Sequence, residues 1–101
     1  MSRIYKILPR TEWTAAQADG VFTGSAVDLA DGYIHFSTGP QAAETARRHF
    51  AGQADLVVLE IEAGDLGDAL VWEPSRGGDL FPHLYGHLPV AAVLAVTQAP
   101  L

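Results

Sequence analysis

The segment Asp31-Gly32-Tyr33-Ile34-His35-Phe36-Ser37-Thr38 alternates apolar and polar side chains and then stops at a helix-start signal. Few arrangements satisfy both. Read as a strand, it points Ile34 and Phe36 to one face and Tyr33, His35 and Ser37 to the other, because side chains alternate along extended backbone. The first face is core; the second carries a phenol, an imidazole and a hydroxyl in a row. Thr38 then reads as a helix cap, Pro40 has its φ preset for the first turn, and Gln41 follows Thr38 by three, as in a capping box. The spacing predicts a helix over Pro40 to Phe50, with Ala42, Ala43, Ala46 and Phe50 buried, Glu44, Arg47 and Arg48 in water, and Gly52 as the stop.

The other elements fall around this unit. Ile4, Lys6 and Leu8 alternate with Tyr5 and Ile7 in a first strand, Arg3 to Leu8, which Pro9 ends by removing a ladder donor. Thr11 is the expected cap of a short helix that buries Trp13 and Ala16 and ends at Gly20. Val21 to Gly32 reads as a loop with room for one helical turn. Leu56 to Glu62 is the strongest strand, and its near-continuous apolar start suits a central position. A turn over Ala63 to Asp68, a short strand from Leu70 to Glu73 ended by Pro74, the flexible loop Ser75-Arg76-Gly77-Gly78-Asp79, and a closing strand from Ala91 to Thr97 complete the chain. About two helices and five or six strands, crowded after the second helix, argue for a single α+β domain over residues 1–101. Its sheets should be bent and mainly antiparallel.

Composition excludes several functions. Twelve acidic and six basic residues give a net charge of −6, too few clustered cations for an extensive nucleic-acid surface, although one or two suffice for a small anion. The absence of cysteine removes disulfides and thiolate metal sites and points to a reducing cytoplasm. No stretch approaches the roughly 20 apolar residues that span a bilayer, and the start of the chain lacks a signal-peptide core. No glycine-rich fingerprint joins a strand to a helix, so neither a Rossmann site nor a P-loop is expected.

A second stretch, Phe81-Pro82-His83-Leu84-Tyr85-Gly86-His87, repeats the mixture of imidazole and phenol. Extended, it places His83, Tyr85 and His87 on one face, with Leu84 and Leu88 opposite. The two stretches are expected to meet across one cleft. Glu73, at a strand end before the glycine loop, can present a carboxylate to a developing positive charge on a ribosyl carbon. Arg76 within that loop offers a rigid fork to phosphate. The plain alternatives are half-buried histidines bonded to neighbouring carbonyls, a solvated edge strand, and Glu73 as a partner of Arg76. His35, His83 and His87 as zinc ligands form a minority reading, since nothing in their spacing requires a metal.

At these residues the chain resembles the DUF952 family, small bacterial proteins of uncharacterised function. The resemblance runs through Ile4-Tyr5-Lys6-Ile7, Trp13, Gly24-Ser25, Asp31 to Thr38 with Gln41, Trp72-Glu73 and Phe81 to Gly86. It implies an ADP-ribosyltransferase-like fold, in which bent sheets hold NAD in a cleft. In that fold the first strand supplies a ribose-binding histidine, the second a serine or tyrosine beside nicotinamide, and a later strand a catalytic glutamate. Here the first position reads Tyr5-Lys6, Ser37 or Tyr33 fits the second, and Glu73 fits the third. The expectation is therefore a small-molecule nucleotide ligand, NAD above all. His35, Ser37, Glu73 and His83 are the candidate catalytic groups, with Tyr33, Arg76 and Tyr85 as ligand contacts. A non-enzymatic binding or interaction module on the same fold is the alternative, and a metal-dependent hydrolase a third.

Overall fold

Strand β1 (Arg3–Pro9) is buried on both faces, and the rest of the chain is layered against it. The computed structural model describes residues 2–99, the Arg76 side chain lying outside the described part. Strand β1 pairs antiparallel along its whole length with β5 (Leu56–Glu62), from Arg3 opposite Glu62 to Pro9 opposite Leu56. The apolar run of β5 suits its interior place, because β9 (Val93–Gln98) lies on its other side. Ile4, Leu8, Val57, Leu59 and Ile61 face one cluster, and Ile7, Leu56 and Val58 face a second, as strand alternation requires. Helix α3, at Gly39–His49, covers the second cluster through Ala46, with Phe50 just past its end.

Helix α1 (Arg10–Asp19) follows β1 directly and buries Trp13 and Ala16, the pair three apart that the sequence puts on one stripe. Two features differ from expectation here. Pro9, with no side-chain cap, occupies the N-cap, so Thr11 lies inside the first turn. Gly20 closes the helix as expected, at φ +81°, where a side chain would be strained. Val21 to Gly32 holds more order than a loop: β2 (Val21–Phe22) is followed by α2 (Ala26–Asp31), so the described residues hold three α-helices rather than about two. A Ser25–Asp28 capping box starts α2.

The segment that opened the sequence reading is two short strands, not one. Strand β3 (Ile34–His35) pairs with β7 (Leu80–Leu84), whereas β4 (Ser37–Thr38) pairs with β1. Phe36 between them donates its N–H to the Pro82 carbonyl at 3.0 Å, and the chain changes sheets there. Ile34 and Phe36 are both buried, as their alternation demands. The order in one sheet is β4-β1-β5-β9. In the other it is β3-β7-β6, where β6 is Leu70–Pro74, and β2 pairs with β8 (Leu88–Pro89) as a ribbon. All these pairings are antiparallel. This is an α+β architecture with sheets bent about Phe36.

The capping box at Thr38 forms as its residues predict: Gln41 N donates to Thr38 Oγ1 at 3.4 Å, and Thr38 N donates to Gln41 Oε1 at 3.0 Å. Ala43 is exposed rather than buried, and Thr45 takes the half-buried position in its place. Among the described residues no helix is long and apolar enough to cross a membrane.

Lys6 lies on the same face of β1 as Ile4 and Leu8 and is buried with them. Its Nζ reaches both oxygens of Asp28 on α2, at 3.0 and 2.8 Å. Removing one partner of a buried ion pair strands the other and typically costs about 3–5 kcal/mol. Asp28→Asn is therefore expected to lower unfolding free energy in urea by about that amount at pH 7. A loss below about 0.5 kcal/mol would show that the pair does not hold α2 to β1.

Candidate functional site

The register of β3 against β7 puts His35 directly opposite His83, and residues opposite one another in an antiparallel pair share a face. Their ring centroids are 5.5 Å apart. Tyr33, just before β3, stacks on His83 at 4.1 Å and 29°, and lies 4.7 Å from His35 and 5.2 Å from Tyr85. The two stretches thus meet, as expected, in a cluster of four rings.

Strand β6 sets Val71 opposite His83, so Glu73, two residues on, returns to the same face. Glu73 Oε1 accepts from His83 Nδ1 at 2.8 Å and from the Tyr85 hydroxyl at 2.7 Å. These two donors, His83 first, hold the Glu73 carboxyl below the usual range, and the same contact raises the Tyr85 phenol. Burial raises the Tyr33 phenol, assisted by the charges of Asp31 and Glu73. His83 is buried and has one nitrogen fixed by Glu73; among the described residues Nε2 has no hydrogen-bond partner. A carboxylate that fixes Nδ1–H leaves Nε2 to accept a proton or hydrogen-bond a ligand.

His35 is held differently. Its Nδ1 donates to Asp28 Oδ1 at 2.6 Å and its Nε2 to Asp31 Oδ2 at 2.9 Å. Ionised carboxylates only accept, so in this arrangement each ring nitrogen faces an acceptor. The His35 and Ser25 backbone N–H groups also donate to Asp28, at 3.1 and 2.9 Å. Burial by itself raises the Asp28 carboxyl, but the His35 hydrogen bond and the Lys6 charge outweigh it and bring it down to about 2. Burial pulls the Lys6 amine down, opposed by Asp28.

A groove of about 570 Å³ runs past this cluster, walled by Tyr33, His35, Ser37 and His83, with Tyr5 and Phe50 farther along. The candidate residues divide by position. Tyr33, His35 and His83 belong to both the cluster and the wall. Ser37 is on the wall but in the other sheet, where its hydroxyl is shared with Thr45 Oγ1 at 2.9 Å. Glu73 joins the cluster through His83, and Tyr85 through Tyr33 and Glu73, without lining the groove. Glu73 thus meets the site through its contact with His83 Nδ1.

His87 follows the end of β7, is exposed, and lines a separate hollow of about 270 Å³. Because β7 ends at Leu84, the extended row His83, Tyr85, His87 is broken. No three metal-ligating side chains converge among the described residues. The Arg76 side chain, expected at phosphate, lies outside the described residues.

Three residues central to the site escape the sequence reading: Lys6, Asp28 and Asp31. Asp28 was legible as the fourth residue of Ser25-Ala26-Val27-Asp28, the same capping pattern as at Thr38. A lysine alternating with Ile4 and Leu8 also calls for a buried acid. Nothing local marks Asp31.

The family model described as "Protein of unknown function (DUF952)" matches residues 7–96. The crystal structure of protein CC0527 from Caulobacter crescentus is 58% identical and superposes with a TM-score of 0.96, covering 99% of this chain and 88% of that one. The solution NMR structure of CC0527 gives a TM-score of 0.88 at 58% identity, covering 100% of this chain and 87% of that one. No curated protein matches the chain.

Two outcomes follow from the geometry. Asp28 is lowered from 3.8 to about 2, so its contribution is complete above about pH 4 and is lost as pH falls towards 2. A shift of this size corresponds to about 2 kcal/mol, so acid unfolding of the wild type should steepen in that window. A flat stability profile between pH 4 and 2 would contradict the assignment. Glu73→Gln should release part of neutral His83 from the Nδ1–H to the Nε2–H tautomer, read from long-range ¹H–¹⁵N couplings at pH 8. An unchanged tautomer would mean that Glu73 does not orient the ring.

Proposed function

Given that the chain belongs to the DUF952 family, whose function is unknown, we propose that its groove binds a nucleotide, NAD or a related ADP-ribosyl compound, on an ADP-ribosyltransferase-like scaffold. The observation that carries this reading is the meeting of Tyr33, His35 and His83 on one wall of a groove of about 570 Å³. That size falls within the roughly 300–1,000 Å³ of small-molecule sites, and such sites combine apolar and aromatic walls with a few placed polar groups.

Each role follows from chemistry. The face of Tyr33 is a platform for a nicotinamide or adenine ring, and Tyr85 packs against Tyr33 at 5.2 Å from outside the groove wall. His83 Nε2 suits a ribose hydroxyl, with Glu73 holding the ring. The His35 imidazole is assigned to phosphate as a ring-nitrogen donor, and Arg76 by its guanidinium and loop position alone. Ser37 is a secondary contact on the same wall.

A second reading, binding without turnover, is favoured by one observation. Both His35 nitrogens and the Ser37 hydroxyl are engaged, and Glu73 Oε1 is held by two donors, so among the described residues little acid–base capacity beyond His83 Nε2 is left on the groove wall. Cleavage of NAD would pass through an oxocarbenium-like state that needs a carboxylate at the ribosyl carbon, and Glu73 is turned to His83 instead. The two readings separate in one experiment.

Titration of ¹⁵N-labelled protein with NAD, ADP-ribose and nicotinamide is expected to shift the amides of Tyr33, His35, Ser37 and His83. His83→Ala should weaken NAD about tenfold, the value of one hydrogen bond to a site group. Nicotinamide release during the titration would make the protein an enzyme; its absence would favour binding alone. No shift with any of the three at millimolar concentration would overturn the nucleotide reading.

A further inference from the structure

We infer that the Asp31 carboxylate occupies an anion subsite built on His35, and that a phosphate-bearing ligand binds by displacing it. The choice of phosphate rests on the nucleotide reading above; the subsite rests on the geometry of four side chains. His35 Nε2 donates to Asp31 Oδ2 at 2.9 Å, and both residues line the groove beside Tyr33 and His83. The other His35 nitrogen is committed to Asp28, whose charge Lys6 matches at 2.8 Å. With Asp31 turned away, His35 Nε2 is left as a donor on the groove wall, its ring backed by a carboxylate whose charge Lys6 matches. His83 brings its open Nε2 to the same wall, its ring centroid 5.5 Å from that of His35. A phosphate group has several acceptor oxygens and can engage both imidazoles, whereas Asp31 engages only His35.

Two features make Asp31 removable. Its side chain is 45% exposed, against 1% for Asp28, and exposed ion pairs contribute only about 0.2–1 kcal/mol. It is also the last residue of α2, where a negative charge meets the carbonyl end of the helix and gains nothing from it. Fold stability therefore depends little on this contact. Glu12, another carboxylate on the same wall, accepts from the Ser25 hydroxyl at 2.6 Å and does not compete for His35 Nε2.

The test uses inorganic pyrophosphate, ADP-ribose and adenosine as calorimetric probes of the wild type, Asp31→Asn, and the double variant D31N/H35Q. Asp31→Asn should bind pyrophosphate and ADP-ribose up to about 5-fold tighter than the wild type, the limit set by the loss of one exposed ion pair, with adenosine unchanged. Adding His35→Gln should abolish the gain. If Asp31→Asn is no tighter for either anion, the inference is overturned whatever the wild type does with ADP-ribose. A gain for pyrophosphate with no binding of ADP-ribose or adenosine keeps the subsite and overturns the nucleotide reading. A gain that survives His35→Gln overturns the assignment to His35. Should the double variant not fold, the His35 Nε2 resonance of Asp31→Asn decides: it moves on addition of pyrophosphate, and no movement overturns the inference.

Discussion

The buried contact between Lys6 and Asp28 ties together every part of the structure that the site uses. Lys6 comes from the central sheet, Asp28 from α2, and through Asp28 the hold passes to both the backbone and the ring of His35 in the second sheet. Five hydrogen bonds converge on this one carboxylate, three on Oδ1 and two on Oδ2. That saturates its lone pairs, the condition under which a buried charge is tolerated. Exposed pairs such as Arg10 with Asp55 do not have this reach, because water competes for both partners.

The same contact explains why the two facing histidines are chemically different. His35 is backed by a buried carboxylate and faced by an exposed one, so each of its ring nitrogens is engaged. His83 is tied at one nitrogen and, among the described residues, has no partner at the other. Here the difference arises from which strand or helix stands behind each ring: α2 behind His35 and β6 behind His83. The bend at Phe36 separates these histidines from Ser37, which looks like their neighbour in sequence yet belongs to another sheet.

Local chemistry made much of the fold legible. The capping box at Thr38, the stop at Gly20, the central place of Leu56 to Glu62, and the burial of Ile34 and Phe36 each depend on a few adjacent residues, and each forms as those residues require. The errors are also local in kind. Thr11 as a cap failed because β1 runs into α1 through Pro9 with no space for a capping turn, and Ala43 as core failed because α3 turns Thr45 inward instead. The order between Val21 and Gly32 was missed although the Ser25–Asp28 pattern was readable, because small residues around it resemble a loop.

The sequence by itself determined the α+β class, the antiparallel sheets and the two imidazole–phenol stretches that would face each other, since alternation and turn residues act over a few positions. Tertiary structure alone decided the roles within the site: that Glu73 serves His83, that Ser37 leaves the row, and that Asp28 and Asp31 hold His35 from either side. Those roles depend on which charges meet across the sheets, and a side chain's hydrogen-bond partner and electrostatic surroundings come from residues far away in the chain.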